Sequence, residues 1–300
     1  MKRVDEDILC GPPPILRDKP LIYFPLGCDG PELFLKASEG CPAFALSGRT
    51  DAVVREYRQA GWFAEINPPP MGRPSQADRT ILIYAISVMV YRCLAGGLPH
   101  QSIRMNVADL LTTLHRNDLY PNLEQEHVGL RWLNASLLRL TQSEIVTEAM
   151  LGEAVWRHHY PYLESAGFGQ DGTELWIRLS EWMYRGLLAR GVVSGARAHF
   201  AIHHLLGQRL YEFACRFCKP RNEARYALQY FHRWCGSTAK PGEFRTQLQG
   251  VLDLHRRYPN LPDFRFELDG GMLAFRKLAP RNDIGRLLSL SPERRFTPSQ

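Results

Sequence analysis

The order of elements between residues 224 and 277 is the feature that most constrains how this chain can fold. A first helix is predicted over residues 224–235, with an apolar face made of Leu228, Phe231, Trp234 and Cys235. Gly236 ends this helix, and Ser237 and Thr238 offer hydroxyls that could cap the next one. Pro241 fits the first turn of that next helix, where its missing N–H costs nothing. The sequence therefore predicts two helices joined by a tight turn.

The second helix carries apolar residues at the i, i+4, i+7, i+8 spacing of a core-facing helix, namely Phe244, Leu248, Val251 and Leu252. Residues 264–268 then alternate between apolar and polar, Asp269-Gly270-Gly271 forms a turn, and residues 272–277 return as a second strand. Helix, turn, helix and hairpin is the order of a winged helix, which lays its second helix in the DNA major groove. We therefore predict a DNA-binding domain here.

The distribution of charge supports this prediction. The whole chain has a formal net charge of +6, yet residues 180–300 alone carry 20 basic and 10 acidic side chains. The positive excess is thus confined to the part of the chain that holds the predicted winged helix. A localised basic excess of this kind is typical of a surface that binds a polyanion.

Eight side chains are predicted to contact DNA. Recognition helices usually make base contacts from their first turns, so Arg245 is the best candidate for a base contact and Lys240 for a phosphate contact. Further along the helix, Thr246, Gln249 and Arg256 share the polar face. In the hairpin, phosphate or minor-groove contacts are expected from Arg265, Arg276 and Lys277.

Composition narrows the other possibilities. With 45% hydrophobic and 23% charged residues, the chain has the composition of a globular protein of about two domains. The longest apolar run, residues 81–90, is too short for a membrane span, and the first residues lack the apolar core of a signal peptide. We therefore expect a cytoplasmic protein without membrane contact, whose seven cysteines are reduced thiols.

The first half of the chain repeats the element order of the second. Residues 1–20 are interpreted as an arm, followed by a short strand at 21–24 and a hairpin of residues 53–57 and 62–66. Asp78 is expected to cap a helix that runs to about Leu94. The remaining predicted elements are a strand at 103–106, helices at 107–115 and 125–140, a hairpin of residues 144–150 and 153–159, a strand at 174–179, and helices at 181–188 and 198–217. Leu130, Leu133, Leu137 and Leu140 form the inner face of the 125–140 helix.

Seven short phrases of the chain resemble, in the same order, phrases of the plasmid replication initiator protein A family. They lie at residues 44–46, 64–68, 83–87, 137–140, 177–184, 208–215 and 235–245. The resemblance spans about residues 41–278. It implies tandem winged helices that bind repeated sites at a plasmid origin, with host initiator and helicase machinery as partners. It further implies that the C-terminal winged helix binds the site and that the N-terminal one mediates dimerisation and secondary DNA contact.

Two alternatives involving metal ions were weighed against this hypothesis. Cys215, Cys218, His232 and Cys235 have a spacing that could suit zinc, but the cysteines fall on apolar helix faces, where a free thiol is more often a buried hydrophobe. Residues 158–160, His-His-Tyr, are suggestive of a metal-dependent DNA-nicking enzyme. No two histidines are spaced two apart, however, so the His-x-His site of such enzymes is missing. No P-loop motif occurs either.

We therefore predict an α+β protein of two tandem winged-helix domains, mostly helical with small β-hairpins. The expected division is an arm at 1–20, a first domain at 21–178, a second at 179–278 and a basic tail at 279–300. The predicted function is sequence-specific binding to double-stranded origin DNA as a homodimer, without catalysis, metal or cofactor. The runner-up is a winged-helix transcriptional repressor, and a nicking enzyme is the less favoured third hypothesis.

Overall fold

The computed structural model describes most of the chain. The described residues are Leu16, Lys19, 21–23, 43–46, 50–59, 62–114, 124–151, 154–190, 193–195, 202, 204–218, 222–258, 261 and 263–278. The predicted basic tail at 279–300 lies outside these residues. Every helix within the described part of the chain is too short or too polar to cross a lipid bilayer.

The described part is a mixture of helices and antiparallel sheets, as the sequence predicted. The strands are β1 (Leu21–Tyr23), β2 (Arg55–Gln59), β3 (Trp62–Asn67), β4 (Ser102–Asn106), β5 (Glu144–Leu151), β6 (Ala154–Pro161), β7 (Leu163–Phe168), β8 (Glu174–Leu179), β9 (Val193–Gly195), β10 (Glu223–Ala227), β11 (Phe264–Asp269) and β12 (Met272–Lys277). The helices are α1 (Gln76–Leu94), α2 (Val107–Thr113), α3 (Glu124–Gln142), α4 (Glu181–Arg190), α5 (Leu205–Phe217), α6 (Leu228–Trp234) and α7 (Pro241–Arg257).

One arrangement of three strands occurs twice. In the first half, the strand order is β4-β8-β7, and in the second half it is β10-β12-β11. Each sheet begins with a strand that follows a long helix, and the last strand of the unit takes the central place. Two helices, α2 and α3 or α6 and α7, stand between the first strand and the closing hairpin. The repeat of element order expected from the sequence is therefore present as a repeat of strand pairing.

The hairpin expected at residues 144–150 and 153–159 forms as β5 and β6, but it is not the closing hairpin of the first unit. It extends a separate sheet of order β2-β3-β5-β6. The closing hairpin is β7 with β8, and the residues of β7 were not predicted to form a strand. Gly167 in β7 faces Trp176 in β8 across the ladder. A Cβ atom at residue 167 would lie only 2.7 Å from the Trp176 ring, so glycine is required for the ring to lie against this strand.

A correction concerns residues 224–227, which were predicted as the start of a helix. They belong to β10, and α6 begins only at Leu228. The strand forms because its backbone pairs with β12, with Ala224 opposite Phe275 and Tyr226 opposite Leu273. Local spacing of apolar residues did not separate the strand from the helix that follows it directly.

Two hydrophobic cores organise the chain. The first holds most of α1, the inner residues of α2 and α3, and the buried faces of the first sheets, and it includes Leu133, Leu137 and Leu140 as predicted. The second holds α5, α6, α7 and the β10-β12-β11 sheet. Trp182, Met183 and Leu187 of α4 pack in the first core, whereas Ile202 packs in the second. Residues up to α4 thus pack in the first core and residues from Ile202 onward in the second, whereas the predicted domain boundary at residues 178–179 lies before α4.

The end of the predicted N-terminal arm is part of the first core. Leu16 is fully buried, and its backbone N–H donates to the carboxylate of Asp109 at 2.8 Å. The Lys19 ammonium lies 4.9 Å from the centre of the Tyr91 ring. Strand β1 then pairs with β9, with Leu21 opposite Gly195. The segment that leads into the first unit is therefore hydrogen-bonded to the segment that leaves it.

Asp78 was expected to cap α1, but the capping residue is Ser75. Ser75 accepts from the N–H of Asp78, and the Asp78 carboxylate accepts from the N–H of Ser75 at 2.7 Å, so the two form a capping box. Asp78 also receives two hydrogen bonds from Arg139 of α3, at 2.9 and 2.7 Å, and one from Ser136. A single carboxylate thus caps α1 and joins it to α3.

A buried ionic cluster joins the two units. The Glu212 carboxylate of α5 accepts from Arg79 at 2.6 Å and from Gln76 at 2.8 Å, both on the first turns of α1. Arg209 of α5 lies 3.3 Å from the other carboxylate oxygen. The side chains of Arg209 and Glu212 are fully buried, and that of Arg79 is 3% exposed. We refer to these four residues as the junction cluster.

Candidate nucleic-acid interface

Helix α7 begins with a proline directly after its N-cap residue. Pro241 is its first residue, as predicted, and Gly236, with a φ of +72°, ends α6 before it. The capping hydroxyls predicted at Ser237 and Thr238 are not used, because the N-cap is Lys240 and no side chain caps the helix. Within the described part of the chain, the first turn therefore has no capping side chain, an arrangement in which a helix can receive an anion.

The two sides of α7 differ as the sequence predicted. The buried side consists of Phe244, Leu248, Val251 and Leu252. The exposed or half-exposed side carries all four side chains predicted as DNA contacts of this helix, namely Arg245, Thr246, Gln249 and Arg256. Lys240 is exposed at the start of the helix. The four side chains of the helix therefore lie on its exposed side, Lys240 is exposed at its start, and DNA contact by all five remains a prediction.

The polar side chains of α7 differ in how many hydrogen bonds they make within the protein. Gln249 donates to Asp253 at 2.9 Å, and Arg256 donates to the same carboxylate oxygen at 2.8 Å. The Thr246 hydroxyl donates to the carbonyl of Gly242 at 3.1 Å. Arg245, by contrast, makes no hydrogen bond or ion pair with any described part of the chain. Among the described residues, Arg245 and the exposed Arg257 are thus the guanidinium groups of α7 most available to an external acceptor.

The hairpin of β11 and β12 presents the other three predicted contacts. Arg265 and Arg276 lie opposite each other in the ladder, with side chains 73% and 71% exposed. Each has a nearby carboxylate, Glu267 at 3.4 Å from Arg265 and Glu223 at 3.2 Å from Arg276. Exposed pairs of this kind contribute little energy, so both guanidinium groups can exchange partners.

Lys277 is half-buried at the end of β12. Its backbone N–H donates to the carbonyl of Asn222 at 2.7 Å, which ties the end of the hairpin to the segment before β10. Arg225, an exposed residue of β10, lies opposite Ala274 on the face of this sheet that points away from the core. Arg225 was not among the predicted contacts because the sequence pattern placed it in a helix. The alternation of exposed Glu223, Arg225 and Ala227 could have identified the strand.

Two of the cysteines with zinc-like spacing, Cys218 and Cys235, are buried free thiols. Cys235 is fully buried, and its thiol donates to the carbonyl of His232 at 3.3 Å. Burial raises the pKa of the Cys218 thiol, which favours the protonated form over the thiolate that binds metal. Among the described residues, no group of His, Cys, Asp and Glu side chains is arranged to hold a metal ion.

The residues considered for a nicking enzyme lie on β6. His159 lies 3.0 Å from Glu144, while the ring of His158 stacks with that of Tyr160 at 6.2 Å. Successive residues of a strand point to opposite faces, so the two histidines are directed away from each other. The pair cannot coordinate one ion from a single strand.

Comparison with known proteins identifies the fold and the family. A crystal structure of domains 2 and 3 of RctB superposes with a TM-score of 0.60 at 11% identity, covering 83% of this chain and 99% of that one. A second crystal structure of RctB domains 2–3 has a TM-score of 0.52 at 14% identity, and the match covers 79% of this chain and 95% of that one. The Pi initiator protein, crystallised with iteron DNA, has a TM-score of only 0.40 at 11% identity, and the match covers 60% of this chain and 82% of that one.

The likeness to RctB establishes a shared fold. No curated protein matches the chain significantly in sequence. The family model of replication initiator protein A, however, matches residues 36–266, which is most of the chain. The protein belongs to the replication initiator protein A family.

Proposed function

We propose that this protein binds repeated sites in a plasmid origin through its second unit and starts replication together with host initiator and helicase proteins. The observation that carries the proposal is the family match over residues 36–266. It is supported by the exposed polar surface of α7 and by the basic excess of residues 180–300. In this proposal the protein acts by binding and needs no catalytic step, metal or cofactor of its own.

We further propose that both units are winged helices. In the second unit, α5, β10, α6, α7, β11 and β12 follow one another in winged-helix order, and β12 lies between β10 and β11. In the first unit, α1, β4, α2, α3, β7 and β8 take the same places, with the β5–β6 hairpin inserted. In this class of domain the second helix of the helix-turn-helix enters the major groove. That helix is α7 in the second unit and α3 in the first.

The two candidate helices are unequally suited to DNA. Arg139 of α3 is committed to Asp78, and the described surface of α3 exposes Arg131 beside the apolar Val128 and Leu138, which are 48% and 44% exposed. The surface of α7 exposes three arginines, Arg245, Arg256 and Arg257. Because phosphate neutralisation supplies much of the affinity of DNA-binding proteins, α7 is favoured as the principal contact.

Replacing Arg245 with alanine should weaken binding to the specific site by about 1 to 3 kcal/mol and reduce discrimination at one base position. Lys277→Ala should instead weaken binding to specific and random DNA alike and lower the salt slope by about one unit. Neither side chain belongs to the buried core, so both variants should keep the wild-type melting temperature. Fluorescence anisotropy at several salt concentrations, with DNA from beside the coding sequence, measures these effects.

A matched control is Arg185→Ala, which removes one exposed arginine from α4 of the first unit. It changes net charge equally but lies off α7, so it should leave discrimination between sites unchanged. If Arg245→Ala binds its site as wild type does, α7 is not the helix that contacts the bases.

An initiator is distinguished from a repressor by plasmid maintenance. A plasmid that carries the protein's own locus and no other origin should replicate when the protein is supplied, whereas a repressor would give no colonies. Strand cleavage of origin DNA by the purified protein with a divalent metal would contradict the non-catalytic proposal and favour the nicking enzyme.

We also propose that the protein forms a homodimer through β6. This strand is the edge of the β2-β3-β5-β6 sheet, and no described strand pairs with its outer side. Val155 and Trp156 are each 56% exposed near the tip of the hairpin, beyond the last pairing of β3 with β5 at Phe63 and Glu148. Long exposed edges with large apolar side chains are suited to pairing with a second chain. Antiparallel pairing of two β6 strands would satisfy this edge.

Trp156→Glu should shift the monomer–dimer equilibrium toward monomer by at least tenfold, because two carboxylates would be brought into an apolar contact. Sedimentation velocity at high micromolar concentration measures the equilibrium. Leu98→Glu is the control, since Leu98 is 64% exposed in the same unit but lies outside β6. A wild-type protein that remains monomeric at these concentrations would exclude the dimer, and an unaffected dimer in Trp156→Glu would exclude β6 as its interface.

A further inference from the structure

Asp253 occupies an unusual place for a carboxylate in a helix proposed to contact DNA. It lies nine positions after the fully buried Phe244, and at about 100° per residue this places it on the opposite side of α7. Its side chain is 46% exposed. In a major groove, this side of the helix would be the one directed toward the base pairs.

Asp253 also holds two of the side chains that were predicted to contact DNA. One of its carboxylate oxygens, Oδ1, accepts from Gln249 Nε2 at 2.9 Å and from Arg256 Nη1 at 2.8 Å. Gln249 is one helical turn before it and Arg256 nearly one turn after it. The carboxylate therefore orients both side chains and offsets part of the charge of Arg256 in the free protein.

A carboxylate in this position is unfavourable on most DNA sequences. It is repelled by phosphates, and the acceptor atoms of guanine and thymine in the major groove offer it no hydrogen bond. The exception is a base that presents an amino group there, and cytosine N4 is the usual partner of an aspartate or glutamate side chain. The cost of bringing the carboxylate near DNA is therefore offset only at sites of suitable sequence.

We infer that Asp253 is a specificity-determining residue of α7: it weakens binding to unrelated DNA and accepts a hydrogen bond from cytosine N4 at the specific site. The inference rests on the proposed DNA-binding function. On unrelated DNA, Arg256 and Gln249 remain paired with Asp253, so they contribute little to affinity. At the specific site, the cytosine amino group becomes an additional donor to the carboxylate, whose second oxygen, Oδ2, accepts no hydrogen bond from a described residue.

The test compares Asp253→Asn with wild type on two duplexes of equal length. One carries a repeat found in the DNA beside the coding sequence, and the other has a scrambled sequence. Because the substitution removes a negative charge near the phosphates, it should tighten binding to the scrambled duplex roughly threefold to tenfold at about 0.1 M salt. Binding to the specific duplex should change by less than about threefold, because a neutral amide oxygen accepts from cytosine N4 more weakly than a carboxylate does, and this loss offsets the lost repulsion. Discrimination between the two duplexes should therefore fall.

Glu181→Gln is the matched control. Glu181 is an exposed helix carboxylate that pairs with an arginine, Arg185 at 2.6 Å, and the substitution changes net charge equally. It lies on α4, so it should leave discrimination between the duplexes unchanged. If Asp253→Asn behaves as this control does, or tightens binding to both duplexes equally, the inference is wrong. If the wild-type protein itself does not distinguish the duplexes, the proposed function has failed, and that result is separate from the role of Asp253.

Discussion

Replacing Glu212 with alanine should lower the free energy of unfolding by about 3 to 5 kcal/mol, because it would leave two buried guanidinium groups without their carboxylate. Glu212 accepts from Arg79 at 2.6 Å, and Arg209 lies 3.3 Å from its other oxygen. All three side chains are at most 3% exposed, so water cannot replace the lost acceptor without opening the contact between the units. Urea unfolding followed by circular dichroism measures the change.

Glu181→Ala provides the comparison for this prediction. Glu181 and Arg185 form a pair of the same chemical type, but their side chains are 52% and 77% exposed. Exposed pairs contribute about 0 to 1 kcal/mol, so this variant should unfold almost as wild type does. Equal stability of Glu212→Ala and Glu181→Ala would show that the junction cluster is accessible to water in solution.

Replacing Asp78 with alanine should cost a similar amount, about 3 to 5 kcal/mol at pH 7. The substitution removes the capping box at Ser75 and the two hydrogen bonds from Arg139. The more conservative Asp78→Asn should cost less, because it retains one acceptor oxygen. Arg139→Ala, measured in parallel and in the double variant, separates the ion pair from the capping contribution by a double-mutant cycle.

The contribution of Asp78 should depend on pH. Burial alone would raise the pKa of this carboxyl, but the hydrogen bonds from Arg139, Ser136 and Ser75 outweigh burial and hold it below its ordinary value of 3.8. Because the folded pKa is lowered, the stabilisation is fully present above the unfolded value and is lost as the pH falls through the folded one. The stability difference between wild type and Asp78→Asn should therefore be constant from pH 7 to about 5 and narrow below pH 4. A constant difference at pH 3 would contradict this assignment.

The elements that could be predicted from sequence are those whose apolar spacing is set within a single helix. The buried side of α7 and the inner face of α3 follow from the recurrence of Phe244, Leu248 and Val251 and of Leu133, Leu137 and Leu140. Exposure of Arg245 follows from the same periodicity, since at about 100° per residue it lies outside the arc that holds Phe244, Leu248, Val251 and Leu252. Mixed helix and sheet, and the repeated order of elements, follow from the sum of such local patterns.

The elements that could not be predicted depend on partners far away in the chain. Residues 224–227 have no strong strand propensity, and they form β10 because β12, some fifty residues later, pairs with them. The strand β7 contains Ser165, Ala166 and Gly167, which local preference would place in a loop. It is stabilised by pairing with β8 and by the contact of Gly167 with Trp176.

The buried ion pairs and hydrogen bonds that join distant elements could not be predicted from the sequence either. Gln76 and Glu212 are separated by 136 positions, and nothing in the local pattern relates one to the other. Asp78 could be recognised as a residue of a helix start, but its partner Arg139 could not be told from an exposed arginine of α3. In both cases burial of the charge is decided by tertiary contact, after the periodicity of each helix has been satisfied.

The pairing of β1 with β9 has a consequence for how the protein can be divided. Leu21 lies opposite Gly195, so the backbone that enters the first unit and the backbone that leads away from it share one ladder. A fragment ending at Arg190 would leave β1 without its hydrogen-bonding partner, although it would retain all of α4. A fragment of the first unit that keeps this ladder must therefore extend through Gly195, and an exchange of second units between relatives should be joined beyond that residue.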